Sequence, residues 1–383
     1  MRFLLLLSSG YRHFMIEVQL NRGSLLLRPE VELWPCDELL GFAERINPRR
    51  AFLFVSKVLG RHIPARPQRI REAFTALADQ IPSHLPEPVL VIGMAETAVG
   101  LGAGVHDALK SRYPNALFMA TTRHPLDADT YGAPLFAEFQ EEHSHAPSHL
   151  LYGSPDPVLQ AQLLATRTLI LVDDEASTGK TFLNLTAALR QTGLHALEHL
   201  VMATLADWST DVNVPDLNCH SVSLLKGSWQ WQAKPDAPEP VMPKVDVVAQ
   251  GRWPISQQQT WGRMPTLSPV GQLALAAKPG ERILLLGSSE FVWAPFLLAE
   301  QLEAQGAIVH FSSTTRSPIA VGHAIQHALA FSDNYGLGIA NFAYNVIEHE
   351  YDRIILAIET AAASVDPSLL AALPHLEIVT NEC

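Results

Sequence analysis

Runs of branched apolar residues alternate along this chain with polar turns and helical stretches. The run from Leu169 to Val172 has four such residues in succession, a pattern typical of a strand buried on both faces, as in a parallel sheet. Further strands are predicted at 89–93, 116–125, 199–205 and 220–225. We therefore expect an α/β fold with a mostly parallel, doubly wound sheet.

Two adjacent carboxylates, Asp173 and Asp174, follow the run at 169–172. The sequence Ser-Thr-Gly-Lys-Thr then occupies 177–181, and a helix is predicted to begin near Thr181. Ligands of a doubly wound sheet bind outside the carboxyl ends of its strands, and the first turn of a helix offers unpaired N–H groups to a phosphate. The carboxylates suit the vicinal hydroxyls of a ribose, since carboxylates accept hydrogen bonds and hydroxyls donate them. The segment therefore predicts a site for ribose and phosphate.

The same segment allows two other interpretations. Gly-Lys-Thr also ends a Walker A loop, but that motif needs a glycine five residues before Gly179, where Asp174 stands. A solvated strand-to-helix turn with a capping threonine is the plainer alternative. It requires two acids, a glycine and two threonines to coincide. In the ligand-binding interpretation, Gly179 lets the backbone approach the phosphate, and Thr178 and Thr181 add hydroxyl donors.

Two motifs of the first half return in the second half of the chain. Gly-x-x-Glu at 93–96 returns at 287–290, and Phe-x-x-Thr-Thr-Arg-x-Pro at 118–125 returns at 311–318. Their spacing is nearly the same in both copies, which predicts a second, smaller α/β unit built on the same plan. After its apolar run this unit has only one acid, Glu359, and no following glycine, so it should lack a ribose-phosphate loop. The candidate site residues of the second unit are Glu290, Thr315 and Arg316.

Composition divides the chain into three predicted parts. The stretch 227–270 is dense in proline, which forbids long helices, and in tryptophan, which favours burial over disorder. We expect a first domain over 1–226, an irregular arm over 227–270 that packs across the interdomain surface, and a second domain over 271–383. The prolines and tryptophans of the arm are Pro235, Pro238, Pro240, Pro243, Pro254, Pro265, Pro269, Trp229, Trp231, Trp253 and Trp261.

The charge of the chain limits its partners. The 383 residues carry a net charge of −12, which argues against general nucleic-acid binding but allows a local basic site for an anionic substrate. Cys36, Cys219 and Cys383 are too far apart for a metal site and indicate a reduced, cytoplasmic protein. No apolar run reaches the ~18 residues of a membrane span. The run after Met1 ends at Ser8, which is short for a signal peptide.

The segment 172–181 resembles the loop that binds phosphoribosyl pyrophosphate (PRPP) in type I phosphoribosyltransferases: an apolar strand, two acids, a few variable residues, then Thr-Gly-x-Thr. The resemblance implies the fold of those enzymes, transfer of a phosphoribosyl group to a base-like acceptor, and Mg²⁺ bound with PRPP. Asp173 and Asp174 would be catalytic, orienting the ribose and stabilising its developing positive charge. The residues that would complete PRPP binding are Ser177, Thr178, Gly179, Lys180 and Thr181. Those that would hold pyrophosphate are Ala95, Glu96, Thr97 and Arg123.

The tetrapeptide Thr-Arg-Ser-Pro at 315–318 and the segment 42–64 resemble a more specific bacterial family. It is a phosphoribosyltransferase-like family of stress-response gene clusters of the tellurite-resistance type, with a C-terminal domain called TRSP. The resemblance implies a nucleoside-like product, and either homo-oligomers or partner enzymes of the same cluster. Purine-type relatives place an acid at the position of Ser177, so an orotate-like or unusual acceptor is favoured. The alternative function is a non-catalytic sensor of PRPP or a nucleotide, or a scaffold.

Two further segments carry candidate ligand contacts. The polar stretch 131–149 predicts a lid over pyrophosphate, in which His143 and His145 would touch phosphate or a proton. A metal site of these two histidines with His149, or a plain solvated loop, is the alternative. The segment 42–64 is a basic island, which predicts either an anion-binding hood or a solvated helix face. Its basic residues are Arg45, Arg49, Arg50, Lys57, Arg61 and His62.

Overall fold

A computed structural model gives the architecture. It describes residues 2–8, 11–47, 50–140, 148–210, 212–237, 240–241, 243, 245, 247–249, 251–255, 261–268 and 273–380, with side chains from residue 15 onward. The strands are β1 (Arg2–Ser8), β2 (Tyr11–Gln19), β3 (Gly23–Glu32), β4 (Leu40–Arg45), β5 (Phe52–Ser56), β6 (Val89–Gly93), β7 (Leu117–Ala120), β8 (Leu135–Gln140), β9 (Ser148–Tyr152), β10 (Thr168–Ala176), β11 (His199–Asp207), β12 (Asn218–Ala233), β13 (Arg282–Gly287), β14 (Ile308–Ser313), β15 (Ile319–Ala320), β16 (Ala328–Ser332), β17 (Ala340–Tyr344), β18 (Arg353–Ile358) and β19 (Leu376–Thr380). The helices are α1 (Cys36–Leu39), α2 (Pro67–Gln80), α3 (Val99–Leu109), α4 (Ala128–Tyr131), α5 (Pro157–Leu164), α6 (Lys180–Thr192), α7 (Trp293–Ala304) and α8 (Pro367–Ala372).

The largest sheet has the strand order β1-β2-β3-β12-β11-β10-β6-β7. Strands β12, β11, β10, β6 and β7 run parallel, and β3, β2 and β1 continue the sheet antiparallel from β12. Residues 169–172 of β10 are fully buried, as their unbroken apolar run predicts. The predicted α/β fold with a large, mostly parallel sheet is confirmed. Strand β7 ends at Ala120, so Arg123 lies in the turn that follows.

The second sheet repeats the core of the first. Its order is β14-β13-β18-β19, all parallel, and it corresponds strand for strand to β7-β6-β10-β11. In each unit the central strand leads through a helix, α3 or α7, to its parallel neighbour. The register of β18 on β13 places Glu359 where Asp174 stands in the first unit.

The likeness of the two units extends to the hairpin beyond each edge strand. Thr122 exchanges two backbone hydrogen bonds of 2.9 Å with Leu150 on the hairpin β8–β9. Thr315 exchanges two, of 2.9 and 2.7 Å, with Phe342 on the hairpin β16–β17. A tyrosine on each hairpin then accepts a backbone hydrogen bond from the following loop. These bonds join Tyr152 to Leu126 and Tyr344 to Ile319.

A hairpin of β4 and β5, here called the hood, covers the carboxyl edge of the first unit. Strand β15 of the second unit extends the hood to three strands, with Ile319 paired to Arg45. The basic island 42–64 is therefore strand-forming in this part, and its interpretation as a solvated helix face is wrong. Arg49 lies outside the described residues.

The proline- and tryptophan-rich stretch packs against both units. Strand β12 continues beyond the predicted domain boundary at residue 226, and no helix or strand occurs in the described residues between β12 and β13. Thr266 exchanges backbone hydrogen bonds of 2.8 and 2.9 Å with Phe118. The rings of Trp261 and Phe291 pack edge to face with centroids 4.6 Å apart. The three domain boundaries stay predictions.

Candidate active site

The carboxyl ends of β6, β10 and β11 meet at one edge of the large sheet. Val172 pairs with Gly93 on β6 and with Ala203 on β11, so the residues that follow these strands emerge side by side. Asp173 and Asp174 are half-buried at this edge. The Asp173 carboxylate accepts a hydrogen bond of 2.9 Å from the backbone N–H of Asp174. The two acids are thus held in one fixed arrangement at the strand end.

A tight turn at 177–179 connects β10 to α6, which begins at Lys180. Gly179 has a φ of 72°, a left-handed conformation that favours glycine. A Cβ atom at Gly179 would lie 2.2 Å from Cγ2 of Val212, so no side chain fits there. Thr178 Oγ1 accepts a hydrogen bond of 3.4 Å from the N–H of Lys180. The turn therefore presents bare backbone to the space in front of the sheet edge.

That space is a cavity of about 160 Å³, here called the ribose-phosphate cavity after the ligand that the sequence predicts for it. Its walls come from the loop after β10, the turn after β6, the hood, and the loop 315–317 of the second unit. The structure brings most of the predicted site residues together around it. Those that line it are Ala95, Glu96, Thr97, Arg123, Asp173, Asp174, Ser177, Thr178, Gly179, Lys180, Thr181, Thr315 and Arg316.

Charges of both signs line the ribose-phosphate cavity. Burial and the neighbouring Glu175 raise the pKa of Asp174. Glu175 itself accepts a hydrogen bond of 2.6 Å from Arg50. A ligand that brings hydroxyl donors or a cation would stabilise the charged form of these carboxylates. The basic side chains of the cavity suit anionic groups. The basic side chains that line the cavity are Arg45, Arg50, Arg123, Lys180 and Arg316.

A buried histidine holds Arg123 in place. Nε2 of His149 lies 3.3 Å from Nη2 of Arg123, and Nδ1 lies 3.0 Å from Oγ1 of Thr121. Because a guanidinium only donates, Nε2 accepts and the neutral ring carries its proton on Nδ1. The ring of Phe139 stacks on the imidazole with centroids 4.8 Å apart. His149 therefore positions Arg123 at the cavity wall.

The turn after β6 is tied to the second unit through Glu96. Its buried carboxylate accepts hydrogen bonds from Ser289 Oγ at 2.9 Å, Thr315 Oγ1 at 3.0 Å and the N–H of Arg316 at 3.4 Å. The N–H of Ala95 is occupied by Thr121 Oγ1 at 2.8 Å. Glu96, one of the predicted pyrophosphate residues, thus lines the cavity, while its carboxylate makes contacts between the units.

Glu290 of the second unit makes the equivalent contact with the first unit. Its carboxylate accepts hydrogen bonds from Thr122 Oγ1 at 2.5 Å and from the N–H of Arg123 at 2.8 Å. Burial would raise the pKa of Glu290, but the charge of Arg263 and these hydrogen bonds lower it to about 2. Arg316, the other charged candidate of the second unit, lies near the same junction. The Arg316 guanidinium donates to the carbonyl of Val247 at 3.0 Å and lines the ribose-phosphate cavity.

In the second unit, the position equivalent to Asp174 and the turn that follows it is closed by the arm. Arg263 makes a bidentate pair with Glu359, at 2.8 and 2.6 Å, and both side chains are buried. Burial lowers the pKa of Arg263, but the negative charge of Glu359 outweighs burial and raises it. Tyr335 donates a further hydrogen bond of 2.7 Å to Glu359. The negative charge of Glu359 is therefore balanced by Arg263 of the same chain.

Some functional residues are visible only in three dimensions. Arg263 and Tyr335 stand in no motif, and the sequence gives no signal for their meeting at Glu359. His149 belongs to the predicted lid stretch, but its partner Arg123 could not be deduced from spacing. The predicted lid residues His143 and His145 lie outside the described residues, so their role stays a prediction.

The acids of the cavity fit part of a magnesium site. Within the described ranges, no group of three or more histidine, cysteine or acidic residues could hold a metal alone. Mg²⁺ commonly takes one or two carboxylates together with substrate phosphates and water. Asp173 and Asp174 supply that donor type beside the turn 177–181. None of the helices in the described part of the chain is long and apolar enough to cross a membrane.

Two family models match consecutive parts of the chain. A model described as phosphoribosyl transferase matches residues 39–227, and a model described as the TRSP domain C-terminal to that family matches residues 249–373. The chain belongs to this phosphoribosyltransferase family, in which a TRSP domain follows the transferase domain. Comparison with the curated proteins found no match.

Proposed function

We propose that the ribose-phosphate cavity binds PRPP with Mg²⁺ and that the protein transfers the phosphoribosyl group to a base-like acceptor, or runs the reverse reaction. One observation carries the proposal: Asp173, Asp174 and the whole turn 177–181 line a single cavity with Arg123 and Arg316. Acids for a ribose, a helix start for a phosphate and arginines for a second anionic group are the three parts that PRPP requires.

In the forward reaction the acceptor forms a bond to the anomeric carbon as the bond to pyrophosphate breaks. The bonding electrons leave with pyrophosphate, and positive charge develops on the anomeric carbon and ring oxygen. Asp173 and Asp174 orient the ribose hydroxyls and lie near that charge, which lowers its energy. Bound Mg²⁺ would neutralise charge on the leaving group.

Two arginines from different units serve the leaving group. Arg123 is positioned by His149, and Arg316 reaches the cavity from the second unit. Guanidinium groups suit phosphate oxygens because they offer several N–H donors in a fixed plane. The TRSP unit therefore completes the first unit's site, much as a second subunit would, and this gives the duplication a functional reason.

The wider setting of the enzyme is also proposed. Cys36 and Cys219 are free thiols, which supports a reducing, cytoplasmic compartment. A nucleoside-like product, a place among the enzymes of a tellurite-resistance type stress-response cluster, and self-association follow from the family resemblance.

Pyrophosphate release from PRPP tests the proposal. Purified protein is incubated with PRPP, Mg²⁺ and a panel of purines, pyrimidines and aromatic acids, and we expect release with a restricted set of acceptors. Arg316→Ala should lower the rate at least tenfold. Arg282→Ala, at the amino end of β13 with an exposed side chain, is the matched control and should not. PRPP binding without release for any acceptor would instead assign a sensor.

A further inference from the structure

A second cavity opens beside the ribose-phosphate cavity. Its volume is about 320 Å³, within the range of small-ligand sites. It lies between the hood and the end of β12 and is here called the aromatic groove. The residues that give the groove its chemistry are Arg22, Arg50, Phe52, Trp229, Trp231 and Lys234.

The aromatic walls of the groove are held rigidly. Phe52 is buried, and its ring centroid lies 4.8 Å from that of Trp229 and 5.1 Å from that of Trp231. The Trp231 indole lies directly over Gly23, where a Cβ atom would come within 2.4 Å of Cζ2. These contacts fix the indoles while leaving both half-exposed. They therefore form a preformed surface on which a flat ring can stack.

The charge of the groove is of one sign. Within the described residues its lining contains Arg22, Arg50 and Lys234 and no carboxylate, although the protein as a whole is acidic. Arg22 Nη1 donates to two hood carbonyls, at 3.0 and 3.2 Å, and the guanidinium has further N–H donors for an anion. Nε of Arg50 is buried and has no hydrogen-bond partner in the described part of the chain.

Arg50 connects the groove to the ribose-phosphate cavity. Its side chain lines both spaces, and its Nη2 donates to Glu175 at the end of β10. A ring stacked in the groove would therefore adjoin a ligand in the ribose-phosphate cavity at the shared residue Arg50.

We propose that the aromatic groove binds the acceptor, and that the acceptor is a planar heteroaromatic ring carrying a carboxylate. This proposal rests on the proposed function. The ring stacks against Trp231 and Trp229, and the carboxylate meets Arg22 and Lys234. A ring nitrogen forms the bond to the anomeric carbon while the carbon–oxygen bond to pyrophosphate breaks and its electrons leave with pyrophosphate. A proton on that nitrogen, where there is one, goes to solvent.

Matched pairs of probes test the proposal. Orotate is compared with uracil, and nicotinate with nicotinamide, by saturation-transfer NMR and calorimetry on the full chain. Each acid should bind at least tenfold more tightly than its neutral partner. Lys234→Gln, at an exposed position, should reduce that preference. Trp231→Ala should weaken both members of each pair at least tenfold, while Trp231→Phe should retain most binding. Trp253→Phe, which changes a tryptophan outside the groove, should have no effect.

Two results would overturn the groove assignment: equal binding of acids and neutral partners, or binding unchanged in Trp231→Ala. PRPP binding is measured on the same samples. If PRPP binds and no acid does, the acceptor proposal fails alone. If acids bind in the groove and PRPP does not bind, the proposed function fails and the groove remains a site for aromatic acids.

Discussion

Thr315 of the second unit donates a hydrogen bond of 3.0 Å to the buried carboxylate of Glu96 in the first unit. Its counterpart Thr122 donates to Glu290 in the opposite direction. The two units therefore exchange equivalent contacts about an approximate twofold relation, as two subunits of a dimer would. Arg61 reinforces the junction by donating to the carbonyls of Ser289, Thr314 and Glu96.

This exchange predicts that the two glutamates stabilise the protein to similar extents. Glu96→Gln and Glu290→Gln each replace a buried acceptor by a group that cannot accept on both sides. Each should lower the free energy of unfolding by about 1–3 kcal/mol, measured by urea denaturation. Glu72→Gln, on the exposed surface of α2, should change it by less than about 0.5 kcal/mol. A negligible effect of both buried changes would show that the contact does not hold the units together.

The buried ion pair of Arg263 and Glu359 predicts that removing one charge destabilises the protein more than removing both. Arg263→Ala leaves a buried carboxylate without its partner and should cost about 3–5 kcal/mol. The double variant Arg263→Met/Glu359→Gln removes both charges and keeps an acceptor for Tyr335, so it should recover most of that loss. Thermal and urea unfolding of both variants measure this. A double variant as unstable as Arg263→Ala would contradict the ion-pair explanation.

The buried His62 predicts a specific loss of stability in acid. Burial, with Arg61 and Arg45 nearby, lowers the pKa of His62 from 6.5 to about 3. Between these pH values the unfolded chain binds a proton that the folded chain does not. His62 therefore favours folding above pH 6.5, and this contribution is lost as pH falls, by about 1.4 kcal/mol per pH unit. His62→Gln should flatten the dependence of unfolding free energy on pH by that amount. An unchanged slope would mean that His62 is already protonated in the native state.

Gly179 has a positive φ and packs closely against Val212, and substitutions should separate these two constraints. Gly179→Ala places a side chain at a positive φ and against Val212. It should lower stability by about 1–3 kcal/mol and weaken PRPP binding, because the turn must move. Gly179→Ala/Val212→Ala removes the clash and should recover only the steric share. Full recovery would show that the left-handed conformation is not required for the turn.

Much of the fold follows from the sequence, because buried parallel strands leave unbroken apolar runs. The run 169–172 located β10, and the repeated Gly-x-x-Glu and Thr-Thr-Arg motifs marked the matching turns of both units. Strand lengths do not follow from these runs, because β12 continues through Ala233 with polar residues alternating on its exposed face. Of the three N-terminal strands that extend the large sheet, β1 contains the apolar run 4–7, whereas β2 and β3 mix apolar with charged residues.

The candidate site was predictable where one short segment builds it. Asp173 to Thr181 are contiguous, so strand, turn and helix follow from local chemistry. The remaining contacts join residues far apart in the chain, such as Arg263 with Glu359 and His149 with Arg123. Spacing carries no signal for them, because they depend on how the two units and the arm pack. The side on which Arg316 emerges follows from the same packing.

Calorimetric titration of PRPP with Mg²⁺ tests the central claim most directly, using the wild type and Asp173→Asn/Asp174→Asn. Far-UV circular dichroism and urea unfolding confirm that the variant is folded, and Asp352→Asn, an exposed acid at the opposite end of the second sheet, is the control. We predict binding by the wild type and the control, and at least a hundredfold weaker binding by the double variant. Unchanged affinity in a folded double variant would contradict the assignment of this cavity to PRPP.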